Sequence, residues 1–169
     1  MSMENGFVKL KEGKAGVLMK VKLSDLVEAI EFHSDEARSF IHLKKGEIYL
    51  ISDEAIRIAE DDDHDYPDWQ KEDVKIAKDY LDNENDYLSL PSQYEVNEHQ
   101  IMEDFISNLE DEKIAGQLSI SLRGKGAFRR FKDNVILLGI DKEWYQFRDE
   151  RYKEFAVEWC EENEIALEV

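Results

Sequence analysis

The chain has 169 residues, with 40 acidic side chains against 22 basic ones, a net charge of −18 at pH 7 and 42% hydrophobic residues. That length suits one domain with a sizeable core, and the apolar fraction excludes disorder throughout. The acid excess repels nucleic acid and anionic membrane on average, so binding to either requires a local exception to the field.

One cysteine, Cys160, leaves no partner for an internal disulfide, which points to a reducing compartment. Lys9, Lys11, Glu12 and Lys14 stand among few apolar residues at the start, unlike a secretory leader. No apolar run approaches the roughly 18 residues that span a bilayer. The expected location is the cytoplasm.

In chain order, residues 1–16 read as a loose lead-in and 17–169 as a single α+β domain. Val17-Leu18-Met19-Lys20-Val21 reads as a short strand. Ser24 is a natural N-cap for a helix carrying Leu26, Val27 and Ile30, because its hydroxyl can accept an orphan first-turn amide proton. The runs 39–43 and 47–51 flank Lys44-Lys45-Gly46 and predict a bulged β-hairpin with glycine at the positive-φ position. Ser52 caps a following helix, with Ile51 and Ile56 spaced as a hydrophobic staple.

The acidic run 61–68 breaks structure by charge repulsion and by Pro67. A helix from Lys71 to Leu81 carries Val74, Ala77, Tyr80 and Leu81, and Tyr87 to Leu90 reads as a strand stopped by Pro91. The second half is mostly helical. Asn97 and Gln100 form a capping-box pattern, with Val96 and Ile101 as its staple; Ile101, Phe105 and Leu109 then recur at helical spacing. Ile114, Leu118 and Leu122 mark the next helix, and Gly124 stands where a left-handed C-cap belongs.

Phe128, Phe131, Val135 and Leu138 mark another helix, with Phe128 and Phe131 as core anchors. The longest runs from about Lys142 to Glu162, with Trp144, Phe147, Phe155 and Trp159 inward and Tyr145 or Tyr152 left to meet a partner. Ile165, Leu167 and Val169 alternate as a closing strand. The expected architecture is therefore α+β: an N-terminal hairpin or small antiparallel sheet with a mostly helical C-terminal half.

One segment departs from the chain's charge. Arg123, Lys125, Arg129, Arg130 and Lys132 fall within ten residues that contain no acid. Gly124 ends one helix, Gly126 frees the backbone and a new helix starts near Ala127. Outward-pointing amides beside Arg and Lys make Arg123, Lys125, Gly126, Arg129, Arg130 and Lys132 the candidate anion-binding residues. The competing reading is that these bases neutralise neighbouring Asp and Glu.

The run Gly124-Lys125-Gly126-Ala127-Phe128-Arg129-Arg130-Phe131-Lys132-Asp133 resembles the signature of Uncharacterised Protein Family 0158. Met102-Glu103-Asp104-Phe105-Ile106, Trp144-Tyr145-Gln146-Phe147 and Ala156-Val157-Glu158-Trp159 extend the resemblance, as do Leu23 to Ala29 and the Gly46-Glu47 hairpin. It covers nearly the whole chain. The resemblance implies a bacterial cytoplasmic protein of unknown role and transfers no catalytic residue.

Other chemistry is weaker. Asp61, Asp63, Asp65 and Glu72 match positions of a calcium loop, but Tyr66 stands where the sharp turn needs glycine and Pro67 stiffens the next step. His33, His42, His64 and His99 are scattered and form no metal-ligand spacing. No Walker loop or nucleophile elbow is present, and Cys160 lacks a local base. No cofactor is implied.

The leading expectation is a non-enzymatic binding or regulatory protein that holds an acidic partner or anionic ligand at Arg123–Lys132, with nucleic acid and membrane disfavoured. The alternative is an enzyme acting on an anionic or phosphorylated small substrate, with that segment as its oxyanion clamp. A third reading, mimicry of nucleic-acid phosphates by the acidic surface, fits less well because acids are spread through the helices.

Overall fold

Residues 20–32, 34–61 and 65–168 are described in the computed structural model. Contacts divide the chain into two units. One comprises the residues up to Gln93 together with Ala156 onward, and the other is Tyr94–Phe155. The architecture is α+β, as the sequence predicts.

In the first unit, β1 (Val21–Lys22) leads directly into α1 (Leu23–Glu31), which buries Leu26 and Ile30. Of the strand expected over 17–21, residues 17–19 lie outside the described residues, Lys20 is not in a strand, and β1 begins at Val21. The cap differs from expectation. Lys22 is the N-cap, with no side-chain cap bond, and Ser24 lies inside the first turn.

The hairpin forms as predicted from β2 (Ala37–His42) and β3 (Ile48–Ser52), with Ile41 opposite Ile48 and Ala37 opposite Ser52. Gly46 adopts φ +71°, and its amide donates to the His42 carbonyl at 2.8 Å. The Ser52 hydroxyl accepts from the Ala55 amide at 3.0 Å and caps α2 (Asp53–Glu60), while Ile51 and Ile56 are both buried. A 3-10 turn at Asp68–Gln70 enters α3 (Lys71–Asp82), which packs on α2 and β3.

The strand β4 (Tyr87–Ser89) pairs antiparallel with the free edge of β2, giving the order β3-β2-β4. Phe40, Ile51, Ile56, Val74, Ala77 and Tyr87 form the core between sheet and helices. The closing strand β5 (Leu167–Glu168) pairs parallel with β1, Val21 against Leu167. Strand structure is therefore not confined to the N-terminal part.

The chain passes between the units through a short helix, α4 (Gln93–Val96), which the turn-rich sequence after Pro91 does not announce. Asn97 then adopts φ +60°, and its side chain accepts from the Gln100 amide at 3.2 Å to cap α5 (Glu98–Ser107). The return half of the capping box is missing, because the Gln100 side chain donates instead to Asp104 at 2.9 Å. Asp111 caps α6 (Glu112–Ser121) by accepting from Lys113 and Ile114. Then come α7 (Ala127–Leu137) and α8 (Asp141–Glu162).

The helical unit is organised around aromatic rings. Trp144 meets Phe131 edge-on with centroids 4.8 Å apart, and Phe105 at 5.4 Å. Such T-shaped pairs bring a ring's positive edge to another's negative face. Phe131 is fully buried as predicted, but Phe128 is 45% exposed. The buried stripe of α7 is Ala127, Phe131 and Val135, every fourth residue, which turns Phe128 outward.

Of the two tyrosines left for a partner surface, Tyr145 is exposed and Tyr152 fully buried. The Tyr152 hydroxyl donates to Glu98 at 2.8 Å, and the Arg148 guanidinium stacks 4.3 Å over its ring while also donating to Glu98. Phe147, Phe155 and Trp159 are half-buried rather than central. Among the described residues, no helix is long and apolar enough to cross a membrane.

Candidate functional site

The basic segment forms the joint between α6 and α7. The last turn of α6 loosens as the Arg123 amide donates to Ile120 at 3.2 Å, and Gly124 and Gly126 both take left-handed backbone at φ +74° and +75°. A side-chain-bearing residue is strained at either position, so the two glycines let the chain reverse within five residues. The helix α7 starts at Ala127 with Gly126 as its N-cap and no side-chain cap.

One base is used by the fold. The Arg130 Nε donates to the Ser121 carbonyl at 3.2 Å, and its two terminal nitrogens donate to the Lys125 and Arg123 carbonyls. A helix leaves its last carbonyls without intrahelical donors, and the planar guanidinium fork supplies them here. Gly126 makes room for it, since a Cβ there would stand 3.3 Å from Arg130 Nη1.

The other four bases behave differently. Arg123, Lys125, Arg129 and Lys132 are exposed. Among the described residues, none of them forms an ion pair with Asp or Glu. Ion pairs of the helical unit lie elsewhere, at Arg148–Glu98, 2.5 Å, and Arg151–Asp104, 2.7 Å. Among the described residues, therefore, no carboxylate is paired directly with these four bases.

Arg123 also borders a cleft of about 420 Å³ between α5 and α6. His99, Glu103 and Ser107 line it from α5, Ser119 from α6, and Ile106 and Leu122 supply apolar wall. His99 Nδ1 lies 3.4 Å from Glu103 Oε1, one helical turn away. Lys125, Arg129, Arg130 and Lys132 do not line this cleft. Sequence reasoning missed His99 and Glu103 as a pair, although their i,i+4 spacing on one helix was visible.

A second polar cluster sits at the hairpin. His42 is buried, and its Nδ1 accepts from the Lys44 and Lys45 amides, each at 3.3 Å. Its Nε2 faces Asp79 at 3.8 Å, and Asp79 also accepts from the Tyr87 hydroxyl. The hydrogen bonds of this cluster close the turn and tie β4 to α3, which gives it a structural role. A larger hollow, about 880 Å³, lies beside α1 and β3, but its lysines Lys20, Lys22 and Lys45 stand among Asp25, Glu28, Glu47 and Glu168 and create no field of one sign.

Metal and thiol chemistry find no support. Among the described residues, no cluster of three His, Cys, Asp or Glu can hold a metal ion. Asp63 and His64 of the calcium-like pattern lie outside the described residues, as does His33. Cys160 is buried, and burial pushes its thiol up to about 12, away from the thiolate a nucleophile requires.

The model of the uncharacterised protein family UPF0158 matches residues 17–169, the glycine-broken basic joint included. The chain belongs to that family. A UPF0158 protein of Pseudomonas aeruginosa is 29% identical over 66 residues, which is 38% of this chain and 43% of the relative. The match thus spans less than half of that relative's length. No solved structure matches the chain. Membership of UPF0158 brings no assigned activity, so the joint must be read from its own residues.

Proposed function

We propose that the chain is a non-enzymatic, cytoplasmic binding or regulatory protein that holds an acidic partner or anionic ligand at the α6–α7 joint. The observation that carries this is the exposure of Arg123, Lys125, Arg129 and Lys132 without carboxylate partners among the described residues, in a chain of net charge −18. Four uncompensated cations on a short reversal make a local positive patch that attracts an anion against the surrounding field. Arg130 is excluded from the binding set because its fork is committed to main-chain carbonyls.

Heparin chromatography tests this reading. A protein this acidic is excluded from a polyanion unless a local patch engages it. Retention of the wild-type protein at low salt, lost in the triple variant K125E/R129E/K132E and eroded by added salt, is the expected result. Flow-through of the wild-type protein, or equal retention of the variant, overturns it.

A further inference from the structure

The cleft beside Arg123 has its own chemistry. Its volume of about 420 Å³ lies in the range of small-ligand pockets. Three polar groups on its walls have spare capacity. The Arg123 guanidinium has no acceptor among the described residues; its main chain alone is engaged, the carbonyl accepting from Arg130 and the amide donating to Ile120. The Ser119 hydroxyl likewise has no intramolecular partner among them, whereas Ser107 is committed to the Glu103 carbonyl at 3.0 Å.

His99 is the third. Glu103 stands 3.4 Å from Nδ1, and the outward-facing Phe128 meets the ring edge-on with centroids 6.2 Å apart. These two neighbours hold the imidazole from separate helices and leave Nε2 as the unengaged ring nitrogen. The odd placement of Phe128 thereby gains a role, since a core-facing residue could not buttress a ring at the cleft mouth. Glu103 is the one carboxylate on the cleft wall, and it is paired with that same ring.

We propose that this cleft is a phosphoryl-binding site, with Arg123 as the anchor, the Ser119 hydroxyl as a further donor, and His99 donating from Nε2 in its imidazolium form while Nδ1–H faces Glu103. A guanidinium fork bonds two phosphoryl oxygens at once, and two more donors answer the third oxygen and the ester oxygen. A carboxylate, with two oxygens, leaves part of that donor set idle. Ile106 and Leu122 offer apolar wall for the body that bears the phosphate. The phosphate belongs either to a free phosphomonoester or to a phosphorylated side chain of a partner. The inference rests on the reading of the joint as an anion-holding element and names the chemistry of its recessed part.

Calorimetric titration of the full chain with phenyl phosphate, and with a phosphoserine peptide and its unphosphorylated twin, tests the proposal. Saturable one-to-one binding of either phosphorylated probe is expected. R123Q should weaken it at least about tenfold, as loss of a charge-assisted bidentate contact does, and H99Q by a smaller factor. K142Q, an exposed lysine outside the cleft, controls for the general loss of a charge. Phenyl phosphate binding as tightly as the peptide identifies a small-molecule site, and a peptide-only response identifies a partner's side chain. No saturable binding of either probe, or an equal loss in K142Q and R123Q, overturns the proposal. Heparin retention without phosphate binding removes the cleft and keeps the joint, while the reverse removes the joint's wider role, so the two readings fail separately.

Discussion

Arg130 reaches back nine residues along the chain to donate to the carbonyl of Ser121 at 3.2 Å, closing α6 with a side chain from α7. Its fork also bonds the carbonyls of Arg123 and Lys125, so a single guanidinium holds three points of the reversal. This makes the joint rigid without an acid, and the neighbouring bases remain free of the salt bridges that would otherwise hide them.

R130K is therefore expected to lower stability by about 1–3 kcal/mol, because an ammonium cannot span three carbonyls in a fork. R129Q, one residue away on an exposed side chain, should change it by less than about 0.5 kcal/mol. Urea unfolding of the two variants followed by circular dichroism checks the contrast.

His42 supplies a second contrast. Its Nδ1 satisfies the amides of Lys44 and Lys45 in the hairpin turn. H42L leaves both donors without that acceptor and should cost about 1–3 kcal/mol. H42N keeps an acceptor near the same position and should cost clearly less. Comparable losses in the two variants would show that the ring's packing against Tyr87, centroids 4.8 Å apart, matters more than its nitrogen.

Two glycines should respond in opposite directions. A Cβ at Gly46 would meet the Lys20 carbonyl oxygen at 2.7 Å in left-handed backbone, so G46A is expected to destabilise by at least about 1 kcal/mol. Gly116 lies within α6 with nothing within 4 Å of its added Cβ, so G116A should stabilise by about 0.5–1 kcal/mol. Thermal melts of both variants measure the signs.

The pH profile follows from five groups, the buried Cys160 thiol, pushed up to about 12, being one of those on the alkaline side. The hydrogen bond from Tyr87, helped by Asn83, holds Asp79 below its ordinary range, and bonds from Arg151 and Gln100 do the same for Asp104. Depressed carboxylates contribute stability that is complete above the unfolded value near 4 and is lost as pH falls through the folded values. At the other limb, burial and the Glu47 hydrogen bond push Tyr49 up to about 12, and burial and Asp79 raise Tyr87 as well. Raised phenols contribute stability that is complete below about 10 and lost as pH climbs toward the folded values. The raised thiol adds a loss that begins near pH 9, so urea midpoints should fall below about pH 4 and above about pH 9. D104N should flatten the acid limb, and Y49F the alkaline one.

Local rules made much of this legible in advance. Ser52 with Ile51 and Ile56, and Gly124 with Gly126, are decided by residues a few positions apart, and each behaves as its pattern requires. The same rules misplaced Phe128, because a stripe of 128, 131 and 135 is as regular as the true stripe of 127, 131 and 135. The choice between Tyr145 and Tyr152 stays open in the sequence because the burial of Tyr152 depends on Glu98 and Arg148, residues that spacing does not connect to it. The candidate site was half visible: a charge count finds the bases, but only the folded chain shows Arg130 bonded to carbonyls and Arg123 bordering the cleft with His99.

The parallel pairing of Val21 with Leu167 has a consequence for biosynthesis. The helical unit is one continuous stretch and can assemble from local contacts as it leaves the ribosome. The strand β1 has no such option, because its partner lies far downstream in the chain. At ordinary elongation rates of about 5–20 residues per second, it waits roughly seven to thirty seconds for that partner. During that interval Val21, destined for the interior, lacks its cover, so the emerging chain is open to chaperones and proteases around β1.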